Sequence, residues 1–90
     1  MTSLKIGWIR DLTDDVRAAI LDQIERDNPK AVRGKFEKII RKNEPILITH
    51  VDQATNRVTL RGDKWRITVD AALAEKTEPY IVDPRRNRVR

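Results

Sequence analysis

The chain contains no cysteine, one histidine, three glycines and four aromatic residues, and each shortage removes a class of function. Without cysteine there are no disulfides, thiolate nucleophiles or cysteine metal sites, which fits a cytoplasmic setting. A single histidine cannot build a histidine-rich metal centre. Three glycines leave no glycine-rich loop to cradle a phosphate. No apolar run approaches the ~20 residues that span a bilayer, so no membrane partner is expected. The opening MTSLKIGWIRD lacks the apolar centre of a signal peptide. With so few aromatics, the core must be built from Ile, Val, Leu and Ala, and stacking on single-stranded bases has little support.

Charge is abundant and uneven. The chain carries a net +5, yet residues 1–28 hold four cations and six acids. Residues 28–45, NPKAVRGKFEKIIRKNEP, hold six cations and two acids, and four arginines fall in the last six residues. Such asymmetry points to a polyanionic partner.

Ninety residues make one small domain, assigned here to 1–83, with an arginine-rich tail at 84–90. A domain this small is marginal alone, so a second copy of the chain (a homodimer) or a ligand is a natural source of extra stability. Residues 4–8 alternate and read as a short strand, with Leu4, Ile6 and Trp8 on one face. Thr13 is placed to cap a helix whose first turn holds Asp14 and Asp15, and Val16, Ala19, Ile20 and Ile24 form its apolar stripe. Asn28 and Pro29 read as the cap and first position of a second helix. There Val32, Phe36, Ile39 and Ile40 form the buried side and Lys30, Arg33, Glu37 and Arg41 the wet side. Gly34 inside it reads as a site of close packing or a bend.

Beyond Pro45 the period changes to two. Residues 46–51 are an apolar strand, and DQATNR is a polar loop. Residues 58–61 and 65–70 flank Gly62-Asp63 as a type II′ hairpin. That register sets Leu60 opposite Trp65, Val58 opposite Ile67, Thr59 opposite Arg66 and Arg61 opposite Lys64, and it places Leu60 and Trp65 against Phe36 and Ile40. Residues 71–76 suit one helical turn and residues 79–82 an edge strand. The expected fold is α+β: a short N-terminal strand, a two-helix corner or hairpin, then a three-stranded antiparallel meander packed on the helices.

Catalytic chemistry finds little support. His50 and Asp52 share a strand face, but no nucleophile accompanies them, and a structural histidine is the simpler reading. No catalytic residue, cofactor site or metal site is assigned. Three cationic features remain. They are the helix face with Lys30, Arg33, Lys38 and Arg41, the hairpin with Arg61, Lys64 and Arg66, and the tail with Arg85, Arg86 and Arg88. Like charges opposite each other on a hairpin are tolerated best where an anion neutralises both. Arginine suits bidentate phosphate contacts.

The helix corner and basic hairpin resemble part of a winged helix, in which a helix enters the major groove and the hairpin touches the backbone. The element order, with GDKWRITVD at 62–70 after a Gly-Asp turn, is similar to the ribosome-dependent toxin superfamily, which would imply cleavage of messenger RNA; no functional residue transfers from that likeness. The expectation is a small non-enzymatic protein that binds nucleic acid through the phosphate backbone, duplex DNA ahead of single strands. The alternative is an interaction or assembly subunit, such as a bacterial or phage accessory or structural protein, whose cations meet an acidic protein surface.

Overall fold

The computed structural model describes residues 2–30 and 33–80. Eight elements follow in the order β1 (Ile9–Leu12), α1 (Asp14–Asp27), α2 (Arg33–Ile39), β2 (Glu44–Asp52), β3 (Arg57–Arg61), β4 (Arg66–Asp70), α3 (Ala71–Ala74) and β5 (Glu78–Pro79). The strands form one antiparallel sheet in the order β4-β3-β2-β1-β5. The α+β class, with an N-terminal strand, a helix pair and a strand meander, is as the periodicities require. The sheet exceeds the expected meander because β1 and β5 extend it on one side.

One sheet face is dry. Val16, Ile20, Leu21 and Ile24 of α1 are buried together with Leu12, Ile46, Ile48, Val58, Leu60 and Val69 of the strands. Fully burying an aliphatic side chain of this size stabilises by about 1.5–3 kcal/mol, so this layer dominates the favourable side of folding. Alternation is interrupted once, between Ile48 and His50, where β2 carries an extra residue opposite β3.

Four local expectations need correction. The first strand lies at Ile9–Leu12 rather than 4–8. Gly7 adopts φ 91°, a left-handed conformation open to glycine, and this turn breaks the run. Leu4 is buried, but Ile6 and Trp8 are 62% and 41% exposed, so the three do not share a buried face.

The second helix begins at Arg33, not Pro29. Asn28 closes α1 instead, its N–H donating to the Ile24 carbonyl at 2.9 Å. Pro29 and Lys30 form a turn. Phe36 is half-buried and Ile40 buried, but Ile39 is 37% exposed. Val32 lies outside the described residues. Among the described residues Gly34 packs against nothing: a Cβ there would meet no atom of theirs within 4 Å.

The hairpin register is displaced by two residues. Leu60 faces Ile67, Thr59 faces Thr68, Val58 faces Val69 and Arg61 faces Arg66. A shift of two preserves which side chains point inward, so the core pattern survives. The connection, however, is a four-residue loop, 62–65, and Trp65 sits in it rather than in the strand. Trp65 is still buried, 8% exposed, and borders a cleft with Phe36 and Ile40.

The last strand among the described residues is Glu78–Pro79, paired with β1 through Asp11 and Arg10. Residues 81–82 of the expected edge strand, and the 84–90 tail, lie outside the described residues.

Candidate polyanion interface at the loop between β3 and β4

Gly62 opens the loop, its N–H donating to the Trp65 carbonyl at 2.8 Å. A Cβ on Gly62 would stand 2.1 Å from Trp65 Nε1, so only glycine lets the indole fold back over the chain. The indole then needs an acceptor. Glu44, at the first position of β2, supplies it: Trp65 Nε1–H donates to Oε2 at 2.7 Å. The Asp63 backbone N–H donates to Oε1 at 2.8 Å, and the Arg41 backbone N–H donates to Oε2 at 3.3 Å.

The Glu44 side chain is 1% exposed. A buried carboxylate is tolerable only when its lone pairs are met by donors, and here three converge. Glu44 therefore ties the loop to the start of β2 and to the chain leaving α2. It was not among the candidate residues. Its signal was parity: Glu44 shares the inward phase of Ile46 and Ile48, and an indole N–H buried elsewhere in the chain had no obvious acceptor.

Around this anchored loop the cations collect. Arg61 and Arg66 stand directly opposite each other on β3 and β4, both exposed. Lys64 is exposed at the loop itself. Lys38, near the end of α2, and Arg41, just past it, share a depression with Asp63 and Lys64. Arg41 is held loosely, 3.7 Å from Glu44 and 3.6 Å from Asp63, and its side chain is 64% exposed. Among the described residues, Lys38, Arg61, Lys64 and Arg66 have no carboxylate within ion-pair distance. The end thus holds five cations against Glu44 and Asp63.

Two other candidates lie apart from it. Arg33 faces α1, where Nη1 is 2.6 Å from both Asp22 and Glu25, while Nε is 3.0 Å from Glu37. Hydrogen bonds to these carboxylates, Asp22 foremost, raise its pKa still further above the ordinary arginine range. Its charge is spent inside the molecule. Lys30 is exposed in the turn after α1. Arg85, Arg86 and Arg88 lie outside the described residues.

The opposite cross-strand charges run Arg61–Arg66, not Arg61–Lys64, because the loop is longer than a two-residue turn. The hairpin is also an integral part of the five-stranded sheet rather than a projecting wing.

His50 is exposed, opposite Thr59 on β3. Asp52 is engaged in the turn that follows it: Oδ1 accepts the N–H groups of Ala54 at 3.0 Å and Thr55 at 3.3 Å. The bonds from Thr55, and then Ala54, hold its pKa below the usual carboxylate value. Among the described residues, no three histidine, aspartate or glutamate side chains gather in a way that could hold a metal ion. No described helix is long and apolar enough to cross a membrane.

No protein-family model matches the chain, and neither the curated proteins nor the solved structures contain a match.

Proposed function

We propose that the chain is a small non-enzymatic nucleic-acid-binding protein of the cytoplasm that grips the phosphate backbone at the loop between β3 and β4. The observation that carries this is Arg61 opposite Arg66. Two guanidinium groups side by side on neighbouring strands repel each other, and nothing among the described residues neutralises them. A phosphate between them turns that repulsion into two charge-assisted contacts, each of which arginine makes bidentately. Lys64, Lys38 and Arg41 extend the same surface along a phosphate chain. The fixed position of the loop, through Glu44, lowers the entropy lost on binding.

The test is a titration against mixed-sequence duplex, single-stranded DNA and RNA at several salt concentrations. On duplex DNA, log affinity falls with log salt at about 0.9 per phosphate contacted, so Arg61→Ala with Arg66→Ala flattens the slope by about two contacts. Affinity weaker than about 10 μM for all three polymers at low salt overturns the reading, since even non-specific binders reach that range.

A second reading, an interaction subunit meeting an acidic protein surface, draws on the apolar side chains that stay wet. Ile9 is 53% exposed and pairs with half-buried Leu47 in the same cross-strand row as Arg61 and Arg66. Apolar contact rimmed by cations is the usual make-up of a protein-binding patch.

A further inference from the structure

Among the described residues β4 is one edge of the sheet, and its outer side has a defined polarity. Gly62 N–H bonds to the Trp65 carbonyl at 2.8 Å, and Ala71 N–H bonds to the Asn56 carbonyl at 2.9 Å. Antiparallel ladders alternate bonded and non-bonded pairs, so these two positions fix the phase between them. Leu60–Ile67 and Val58–Val69 are the bonded pairs. Arg66, Thr68 and Asp70 therefore turn their N–H and C=O groups away from the sheet. Their present partners agree with this: Asp70 N–H reaches Gln23 Oε1 at 3.4 Å, and the Thr68 carbonyl accepts Arg57 Nη2 at 3.2 Å. Arg66 N–H and Thr68 N–H face outward.

The sequence of this edge, Arg66-Ile67-Thr68-Val69-Asp70, is its own chemical complement when reversed. We infer that β4 pairs with β4 of a second copy of this chain, antiparallel and centred on Thr68, joining two five-stranded sheets into one. In that register Thr68 meets Thr68 and exchanges two backbone hydrogen bonds. Arg66 meets Asp70 at both ends on the exposed face, where Asp70 exchanges its 3.9 Å pair with Arg57 for the second copy's guanidinium and its N–H exchanges Gln23 Oε1 for a backbone carbonyl, and Ile67 meets Val69 on the helix side. Opposite charges directly across a ladder are favourable and like charges are not. Among two-fold registers, this one alone opposes both charged residues with the opposite sign; centring on Arg66 would set guanidinium against guanidinium. The cleft along this edge, about 280 Å³ and bordered by Ile24, Phe36, Ile40, Trp65 and Ile67, then closes against its own copy. A continuous sheet also answers the marginal size of the single domain.

The test uses the full chain without nucleic acid, so its outcome does not depend on phosphate binding. Sedimentation equilibrium is run on wild type, Arg66→Asp, Asp70→Arg and the double charge exchange, with far-UV circular dichroism to confirm folding. The inference expects a concentration-dependent dimer, a loss of about tenfold or more in association for each single reversal, and recovery in the double variant. Amide exchange of wild type at high and low concentration reads the same contact directly, with the Thr68 N–H slowing as dimer forms. A wild type that stays monomeric up to about millimolar, a dimer indifferent to all three variants, or a Thr68 amide with unchanged exchange overturns it.

Discussion

Trp65 Nε1–H donates to Glu44 Oε2 across 2.7 Å, joining a loop residue to the first residue of a strand 21 positions earlier. Removing Glu44 leaves the buried indole N–H unmet, and removing Trp65 takes one of three donors from the buried carboxylate. Trp65→Ala is expected to destabilise by about 3–5 kcal/mol, the range for a buried large aromatic. Glu44→Gln keeps the shape but opposes an amide N–H₂ or a single acceptor to three donors, so it should cost about 1–3 kcal/mol. Urea denaturation followed by tryptophan fluorescence checks both; a midpoint unchanged by Glu44→Gln contradicts the bond.

The glycines at 34 and 62 should respond in opposite directions to alanine. Gly34 sits in the first turn of α2 with open space around it, so Gly34→Ala is expected to stabilise by up to about 1 kcal/mol, the helix-interior value. Gly62→Ala would drive a methyl into the Trp65 indole and displace it from Glu44. Paired melting curves of the two variants give the comparison, and equal shifts of the same sign would refute the account of the loop.

Arg33 separates structural charge from available charge. Arg33→Gln breaks its links to Asp22 and Glu25, which tie α2 to α1, so Tm should fall at low ionic strength. The pairs are partly exposed, and salt screens such pairs, so the difference should shrink toward 1 M NaCl. The salt slope of polyanion binding should stay at the wild-type value, unlike that of the Arg61 and Arg66 variants. A flattened slope in Arg33→Gln would mean that this arginine reaches phosphate after all.

Asp52 contributes to the acid limb of stability. Bonds from Thr55 and Ala54 lower its folded pKa, so the unfolded chain takes up its proton first as pH falls. Its contribution is complete above the ordinary value near 4 and disappears as pH drops through the folded value. Asp52→Asn should leave the stability of the turn insensitive to pH over that interval. Denaturant midpoints from pH 6 to pH 2 should converge between wild type and variant at the acid end; curves that stay parallel would remove Asp52 as a source.

How far the sequence carries can be traced through particular residues. Val16, Ile20 and Ile24 spaced at helical intervals, and Val58 and Leu60 two apart, specify faces, and both faces are buried as expected. Pro29 and Gly62 misled for a shared reason. Each suits a common local motif, but neither residue alone determines how many neighbours join the turn. At Asn28 the α1 carbonyl of Ile24 captures the cap. At Gly62 a distant carboxylate draws Trp65 out of the strand. Glu44 itself is a tertiary device, and only its inward phase, two residues before Ile46, hinted at it. For the candidate site, residue type was enough to nominate the cations. Only the register brought Arg61 against Arg66, and only the packing of α2 on α1 withdrew Arg33.

That withdrawal has an electrical consequence. Asp22, Glu25 and Glu37 offset Arg33 where α2 meets α1, while Lys38 and Arg41, near and just past its end, join the positive loop. Seven helical residues, roughly 10 Å at about 1.5 Å each, separate the offset junction from the surplus of cations at the loop. The positive charge of the molecule is therefore off-centre, displaced toward the loop. Near any strongly charged polymer it experiences a torque before it experiences a contact, turning the loop toward a polyanion and the helix junction away. Orientation by the long-range field shortens the rotational search that limits association, and it fades as the Debye length contracts to about 10 Å at 0.1 M salt, the same scale as the separation of the charges.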